Sequence, residues 1–203
     1  MSLPLRLGLY YSAIFLGTGA SSPYMPVWFQ HHGLSGAQIG LILSLPMLAR
    51  AVTAPLLAVW ADSFRLRRTA LVVLGLGVAA AYALMALPLG FAGWAVVWFA
   101  ASSAFSTISP LTDVIVLARA RRDGFNYGWP RGIGSAAFIV ANIVMGAVLT
   151  WGSPELVLVW ITAAAALAGL GARWLLPPDP VQDEGGAARL RERFAGLNDL
   201  LRD

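Results

Sequence analysis

The sequence contains no cysteine and no lysine, and charged residues of either sign are scarce. Without cysteine, disulfide bonds and thiolate metal sites are excluded. Only 12% of the 203 residues are charged and 58% are hydrophobic, whereas about 25% of the residues in soluble domains are charged. These proportions exclude an ordinary soluble domain and are typical of a membrane protein with several spans.

The sequence also lacks the motifs GxSxG, HExxH, Walker A and GxGxxG, so hydrolase, zinc-protease and nucleotide sites have no support. No nucleophile–base pair is recognisable. We therefore expect a protein that is not an enzyme, with no cofactor and no metal. All of the 14 basic residues are arginine. They lie beside apolar segments, which favours the lipid bilayer over nucleic acid as their partner.

Long apolar segments dominate the chain, and each is close to the roughly 20 residues that a helix needs to cross a bilayer. Backbone groups in lipid must be hydrogen-bonded within the segment, which favours helices. We predict an all-α membrane protein with six transmembrane helices. Their approximate ranges are 7–29, 36–60, 69–90, 92–118, 130–151 and 154–176.

The charge of the connecting loops alternates along the chain. Arginines occur in the second loop, the fourth loop and the tail, and not in the other loops: Arg65, Arg67, Arg68, Arg119, Arg121, Arg122, Arg173, Arg189, Arg191, Arg193 and Arg202. Positively charged loops stay in the cytoplasm. We therefore expect a multi-pass protein of the cell (inner) membrane with both termini in the cytoplasm.

The composition changes near residue 177 and divides the chain into two parts. Residues 1–176 form the predicted six-helix transmembrane domain, and residues 177–203 form a polar cytoplasmic linker. Within the linker, Leu190, Phe194, Leu197 and Leu201 recur at helical spacing. This spacing predicts an amphipathic helix on the membrane surface; a charged tail without fixed structure is the alternative.

Three charged residues lie within or at the start of predicted spans, where charge is costly and usually marks function. They are Arg50, Asp113 and Arg131. Asp113 precedes Arg131 by eighteen residues, and a hairpin folded at Arg122 would place the two at similar depth. We predict a salt bridge between them. Asp113 is then either a substrate or proton site or a purely structural partner.

The other two side chains also leave alternatives open. Pro130 favours the first turn of a helix, so Arg131 can instead extend to the membrane interface. Arg50 is a partner for Asp113 or a contact for an anionic substrate. In the first helix, Tyr10, Gly17 and Tyr24 recur every seven residues, which indicates either packing or a wall that contacts ligand.

The loop "AVWADSFRLRR" resembles the helix 2–3 signature of the major facilitator superfamily, Gly-x-x-x-Asp-x-x-Gly-x-Arg-Lys/Arg. Asp62 matches the acid, and Arg67 and Arg68 match the basic pair, while Ala58 and Arg65 replace the two glycines. The resemblance implies that Asp62, Arg67 and Arg68 latch the cytoplasmic side during alternating access.

The stretch "SPLTDVIVLARARRDGFNYGWPRGIG", residues 109–134, resembles the helix 4–5 hairpin of the branch that contains the lactose permease and phenylpropionate-permease-like proteins. In that branch an acid precedes an arginine by the same eighteen residues, after which an aromatic residue contacts the substrate. The resemblance implies substrate binding by Asp113, Arg131 and Phe138. Phe138 stands where the lactose permease has tryptophan. At this position the chain therefore resembles the phenylpropionate-like proteins more closely.

The resemblance implies one six-helix half of a transporter with two halves around a central site. The implied activity is proton-coupled symport of a small organic solute, a sugar or an aromatic acid. The implied partner is a second six-helix half or a second copy of the chain. The alternative function is a non-transporting membrane assembly or sensor module that reuses the fold.

Overall fold

The computed structural model describes residues 1–178 of the chain. Within that range every long element is an α-helix. The helices are α1 (Leu3–His31), α2 (Gly36–Asp62), α3 (Arg67–Leu84), α4 (Gly90–Asp123), α5 (Gly128–Leu149) and α6 (Glu155–Leu175). The six predicted helices are therefore confirmed as helices. The predicted amphipathic helix of the linker lies outside the described residues.

Five of the six helices, α2 to α6, are long and apolar enough to cross a membrane. The first helix has 29 residues and is not among these five, so its role as a span remains a prediction. It packs on both α5 and α6 and buries 11 of its residues.

Local signals set several helix ends. Ser35 caps α2 through a capping box, in which its hydroxyl accepts from the backbone N–H of Gln38 and its own N–H donates to the Gln38 side chain. Gly124 ends α4 with a positive φ of 72°, a conformation that glycine adopts without steric cost. The chain then reverses over four residues before α5 begins.

The helices pack in an order that differs from their order in the chain. The main contacts run α5–α1–α6–α3–α4–α2, and α4 has almost no direct contact with α5. Two close approaches depend on glycine. A Cβ on Gly75 of α3 would collide with the backbone of Gly169 on α6, and one on Gly19 of α1 would meet the Phe138 carbonyl of α5.

A polar cluster joins the end of α1 to the start of α6. The indole N–H of Trp28 donates to Glu155 over 2.9 Å, and Nε2 of His32 lies 3.2 Å from the other Glu155 oxygen. The imidazole also stacks on the Trp28 ring, with 4.0 Å between centroids. These contacts hold together the end of the bundle that carries no arginine in its loops.

Candidate functional site

A cavity of about 400 Å³ lies between α1, α2, α4 and α5, with one side chain from α3 in its wall. The wall combines hydroxyl groups, aromatic rings and two arginines. It is formed by Ile14, Phe15, Thr18, Ser21, Ser22, Leu43, Arg50, Tyr82, Trp98, Ser102, Phe105, Ser106, Ser109 and Arg131. Ligand pockets of this kind combine an apolar body with a few placed polar groups.

Arg131 lies in the first turn of α5, and its guanidinium lies on aromatic rings of α1. Its Cζ is 5.2 Å from the centroid of the Tyr11 ring and 4.5 Å from that of Phe15. Both distances are within the range of cation–π attraction. Its Nη1 is buried, and none of residues 1–178 accepts a hydrogen bond from it.

Asp113 of α4 is half-buried and is held by two tyrosines. The same carboxylate oxygen accepts two hydrogen bonds, one from the Tyr11 hydroxyl and one from the Tyr127 hydroxyl, the second over 2.9 Å. Burial and the neighbouring Asp113 raise the pKa of Tyr127, so its phenol stays a neutral donor at physiological pH. Asp113 does not form part of the cavity wall.

The predicted salt bridge between Asp113 and Arg131 is wrong. Within residues 1–178 the two side chains form no ion pair. The reason is the packing: α4 and α5 make almost no direct contact, and the Tyr11 side chain of α1 lies between the two charges. The Tyr11 hydroxyl contacts the carboxylate, and its ring contacts the guanidinium.

Arg50 comes from α2 and lines the same cavity as Arg131. Its side chain has neither an ion pair nor a hydrogen bond to any other residue in the range 1–178. It is therefore not a partner of Asp113 in this structure, although the sequence left that alternative open. The fold brings Arg50 and Arg131 into one wall, and Asp113 is not part of that wall.

Two other predicted substrate residues lie away from the cavity wall. The Tyr24 hydroxyl donates to the backbone carbonyl of Asn142 over 2.9 Å and so ties α1 to α5. Phe138 is half-buried in α5, where its carbonyl faces Gly19. Their assignment to substrate binding stays a prediction, and packing is the role visible in their contacts.

The predicted latch lies at the opposite end of α2 from the Ser35 cap. Asp62 is the last residue of α2 and is exposed, and Arg67 and Arg68 open α3 and are half-buried. The connection spans only four residues. Asp62 and the pair Arg67 and Arg68 therefore lie on either side of one short connection. Their gating role stays a prediction.

Sequence reasoning missed Tyr11 and Phe15, the aromatic residues that contact Arg131. The sequence held a weak signal, since residues four apart share a helix face and the two rings lie 6.3 Å apart. Nothing in the local pattern indicated that this face of α1 would meet α5 rather than lipid.

Comparison with known proteins finds one family model and two curated relatives that are named as transporters. A family model described as the MFS_1 like family matches residues 4–189. The chain is 34% identical over 186 residues to the "Maltose permease" of Geobacillus stearothermophilus, an alignment that covers 89% of this chain and 46% of that protein. It is 28% identical over 191 residues to the "Probable 3-phenylpropionic acid transporter" of Escherichia coli K12, covering 92% of this chain and 48% of that protein. The chain spans about half the length of these curated relatives.

Proposed function

Because this chain belongs to the MFS_1 like family of the major facilitator superfamily, we propose that it forms one six-helix half of a secondary transporter. The transporter moves a small organic solute across the cell membrane by alternating access, in symport with protons. Both termini lie in the cytoplasm. The observation that carries the proposal is the cavity between α1, α2, α4 and α5, which has polar and aromatic walls inside an otherwise apolar bundle.

The cavity supplies the solute site. Transporter sites form between helices, where polar groups that lipid would not tolerate are kept for the substrate. Arg131 and Arg50 approach the cavity from two helices that do not pack against each other. A solute bound here lies where movement of a second six-helix unit against this one, the movement that alternating access requires, can open or close the cavity.

Asp113 supplies the proton site. The other acids of residues 1–178 are Asp62, Asp123 and Glu155, and each lies at a helix end. Asp113 is eleven positions before the C-terminal cap of α4 and is half-buried. It connects to Arg131 through Tyr11, so a change in the charge of Asp113 alters the support of a side chain in the cavity wall.

The short α2–α3 connection supplies the latch, and a second six-helix unit completes the cavity. Arg67 and Arg68 follow Asp62 by five and six residues across the junction of two helices, which suits a contact that opens and closes. The second unit is either the other half of the transporter or a second copy of this chain. It covers the side on which α2 and α5 leave the cavity open.

Uptake into sealed vesicles tests the proposal. The chain is reconstituted into liposomes with an inward proton gradient, and the accumulation of radiolabelled maltose and of 3-phenylpropionate is measured. We expect one solute to accumulate, and an uncoupler that collapses the gradient to abolish the accumulation. Equal accumulation in protein-free liposomes would contradict transport by copies of this chain alone. Gradient-independent uptake would contradict proton coupling alone.

A further inference from the structure

We infer that the cavity binds an organic carboxylate with an aromatic or apolar body and discriminates against neutral sugars. This inference rests on the proposed function and adds to it the chemical class of the solute. It follows from the balance of charge in the cavity wall, from the donors that the wall leaves without acceptors, and from the position of Asp113.

The cavity wall carries two positive charges and no acid. Arg50 and Arg131 are its charged members, and Asp113 is not part of it. Two guanidinium groups that share one cavity repel each other and attract an anion. A neutral solute would leave both positive charges uncompensated, whereas a carboxylate compensates them.

The arginine donors in the wall have no acceptor among residues 1–178. The Arg131 guanidinium is stabilised by the ring faces of Tyr11 and Phe15, which attract the cation without using its N–H groups. A planar guanidinium carries five N–H donors and matches a carboxylate through two parallel hydrogen bonds. The structure thus holds the Arg131 guanidinium in place and leaves its N–H donors free for an incoming acceptor.

The carboxylate of this region is already used elsewhere. Asp113 accepts from Tyr11 and Tyr127 and is not part of the cavity wall. A sugar site needs acceptors for the solute's hydroxyl protons, and a carboxylate is the strongest such acceptor. Here that acceptor is occupied by protein hydroxyls, while the donors of Arg131 are not.

The remaining wall suits the rest of such a solute. Trp98, Phe105 and Tyr82 present aromatic surface on the α3–α4 side of the cavity. On the same wall Ser102 and Ser109 make no hydrogen bond to any of residues 1–178, so their hydroxyls are free to donate. The solute then has its charge toward the arginines and its apolar body against the rings.

Binding to matched probes tests the inference. The 203-residue chain in lipid nanodiscs is titrated calorimetrically with benzoate, phenylacetate and 3-phenylpropionate, with the neutral isostere 3-phenylpropionamide, and with maltose. We expect at least one carboxylate to bind about tenfold or more tightly than the amide, since hydrogen bonds to charged groups are the strong ones. Arg131→Gln and Arg50→Gln should each weaken carboxylate binding about tenfold or more and leave amide binding unchanged.

Two further variants keep the test independent of folding. Arg131→Lys retains the charge without the planar guanidinium, so we expect an intermediate affinity. Arg173→Gln removes an exposed arginine at the end of α6, outside the cavity wall, and should change nothing. If Arg173→Gln weakens binding as much as Arg131→Gln, general surface charge attracts the probe and the inference is wrong.

The remaining outcomes separate this inference from the proposed function. Equal affinity for carboxylate and amide, or no binding of any of the three carboxylates, overturns it. Binding and gradient-driven uptake of maltose alone also overturn it but leave the proposed transport intact. Carboxylate binding without any uptake, with or without a gradient, supports the inference about the site and contradicts transport by this chain alone.

Discussion

At the scale of single residues, Tyr11 is the side chain on which the candidate site depends. It is fully buried in α1, its hydroxyl donates to Asp113, and its ring supports Arg131. Because Tyr11 was not recognised as their shared contact, the relation between Asp113 and Arg131 was predicted wrongly. A phenol can serve both at once because its polar and aromatic parts point in different directions.

The first prediction concerns the Tyr11 hydroxyl. Tyr11→Phe leaves the ring over Arg131 and removes a donor to a carboxylate, so it should lower the free energy of unfolding by about 1.5–3 kcal/mol. Tyr10→Phe is the matched control. The neighbouring Tyr10 hydroxyl is buried near Thr112, yet it makes no hydrogen bond of acceptable geometry within residues 1–178. Chemical unfolding in detergent compares the two, and equal losses would show that the Tyr11–Asp113 contact contributes nothing.

The second prediction concerns the proposed proton site. Asp113→Asn removes the titratable group but keeps an acceptor for both tyrosines, so the bundle should remain folded while uptake loses its dependence on the proton gradient. Asp123→Asn is the control, because Asp123 lies at the end of α4 and pairs with Arg119 over 3.7 Å. Solute exchange without a gradient should survive in both variants. Gradient-driven accumulation by Asp113→Asn at the original rate would place the proton site elsewhere.

The failure of the predicted Asp113–Arg131 salt bridge shows a limit of reading charge from sequence. Chain spacing correctly indicated that both charges belong to one region, since the α4–α5 connection is short. It could not indicate that a side chain a hundred residues earlier would contact both of them. That arrangement depends on tertiary packing of α1, for which Tyr11 left no periodic signal. The position of Arg50 and Arg131 in one cavity wall also depends on tertiary packing, which spacing along the chain does not indicate.

At the scale of the helices, the close approach of α3 to α6 leads to the third prediction. Gly75→Ala would force its new Cβ against the backbone of Gly169, which cannot move aside as a side chain can. We expect the change to lower the free energy of unfolding by about 1–3 kcal/mol. Gly77→Ala provides the control two residues along the same helix, where a Cβ meets nothing within 4 Å. It should be neutral or stabilising, because alanine favours the helix by up to about 1 kcal/mol.

Thermal unfolding in detergent measures both glycine variants. A Gly75→Ala protein as stable as Gly77→Ala would mean that α3 and α6 are further apart in the membrane than this contact requires. Such a result would also weaken the assignment of Tyr82, the α3 side chain in the cavity wall, to the candidate site.

The helices themselves were largely predictable, because their apolar length is written locally. The predicted bounds agree with the observed ones within six residues, the largest difference being the end of α3 at Leu84. The cavity was less predictable. Thr18, Ser21 and Ser22 of α1 line it, and nothing local to α1 indicated that these hydroxyls would face a cavity rather than a neighbouring helix.

At the scale of the whole molecule, the arginine distribution leads to the fourth prediction, which concerns orientation. Basic loops stay in the cytoplasm, and the connections after α2 and α4 carry or follow arginine clusters. Reporter fusions after residues 33, 64, 87, 125 and 152 should alternate between outside and inside, starting outside. Two successive fusions on the same side would show that one helix, α1 first among them, does not cross.

The last prediction concerns what covers the open side of the bundle. The two terminal helices of the packing order, α2 and α5, have the least buried apolar segments, with 11% and 17% of their residues buried against 39% or more in α3, α4 and α6. Arg50 lies on α2 beside this exposed surface. An arginine facing lipid at the centre of a helix costs about 2.5–3.5 kcal/mol on insertion scales. A second six-helix unit against α2 and α5 would remove that cost and close the cavity.

The absence of cysteine in the sequence makes this arrangement directly testable, because a single introduced thiol has no competitor. The native side chains of Met47 on α2 and Ile139 on α5 are 80% and 58% exposed, and each is replaced by cysteine in a separate variant. Leu167→Cys on α6, where the native side chain is 56% exposed, is the control. In membranes treated with a maleimide that carries a photoreactive benzophenone and then irradiated, Met47→Cys and Ile139→Cys should yield a cross-linked product and Leu167→Cys should not. A product of twice the chain mass identifies a second copy, and any other mass identifies a separate half. Gradient-driven uptake by a chain that stays uncross-linked and sediments as a six-helix monomer would contradict the proposed assembly, because a cavity wall with two arginines would then function while facing lipid.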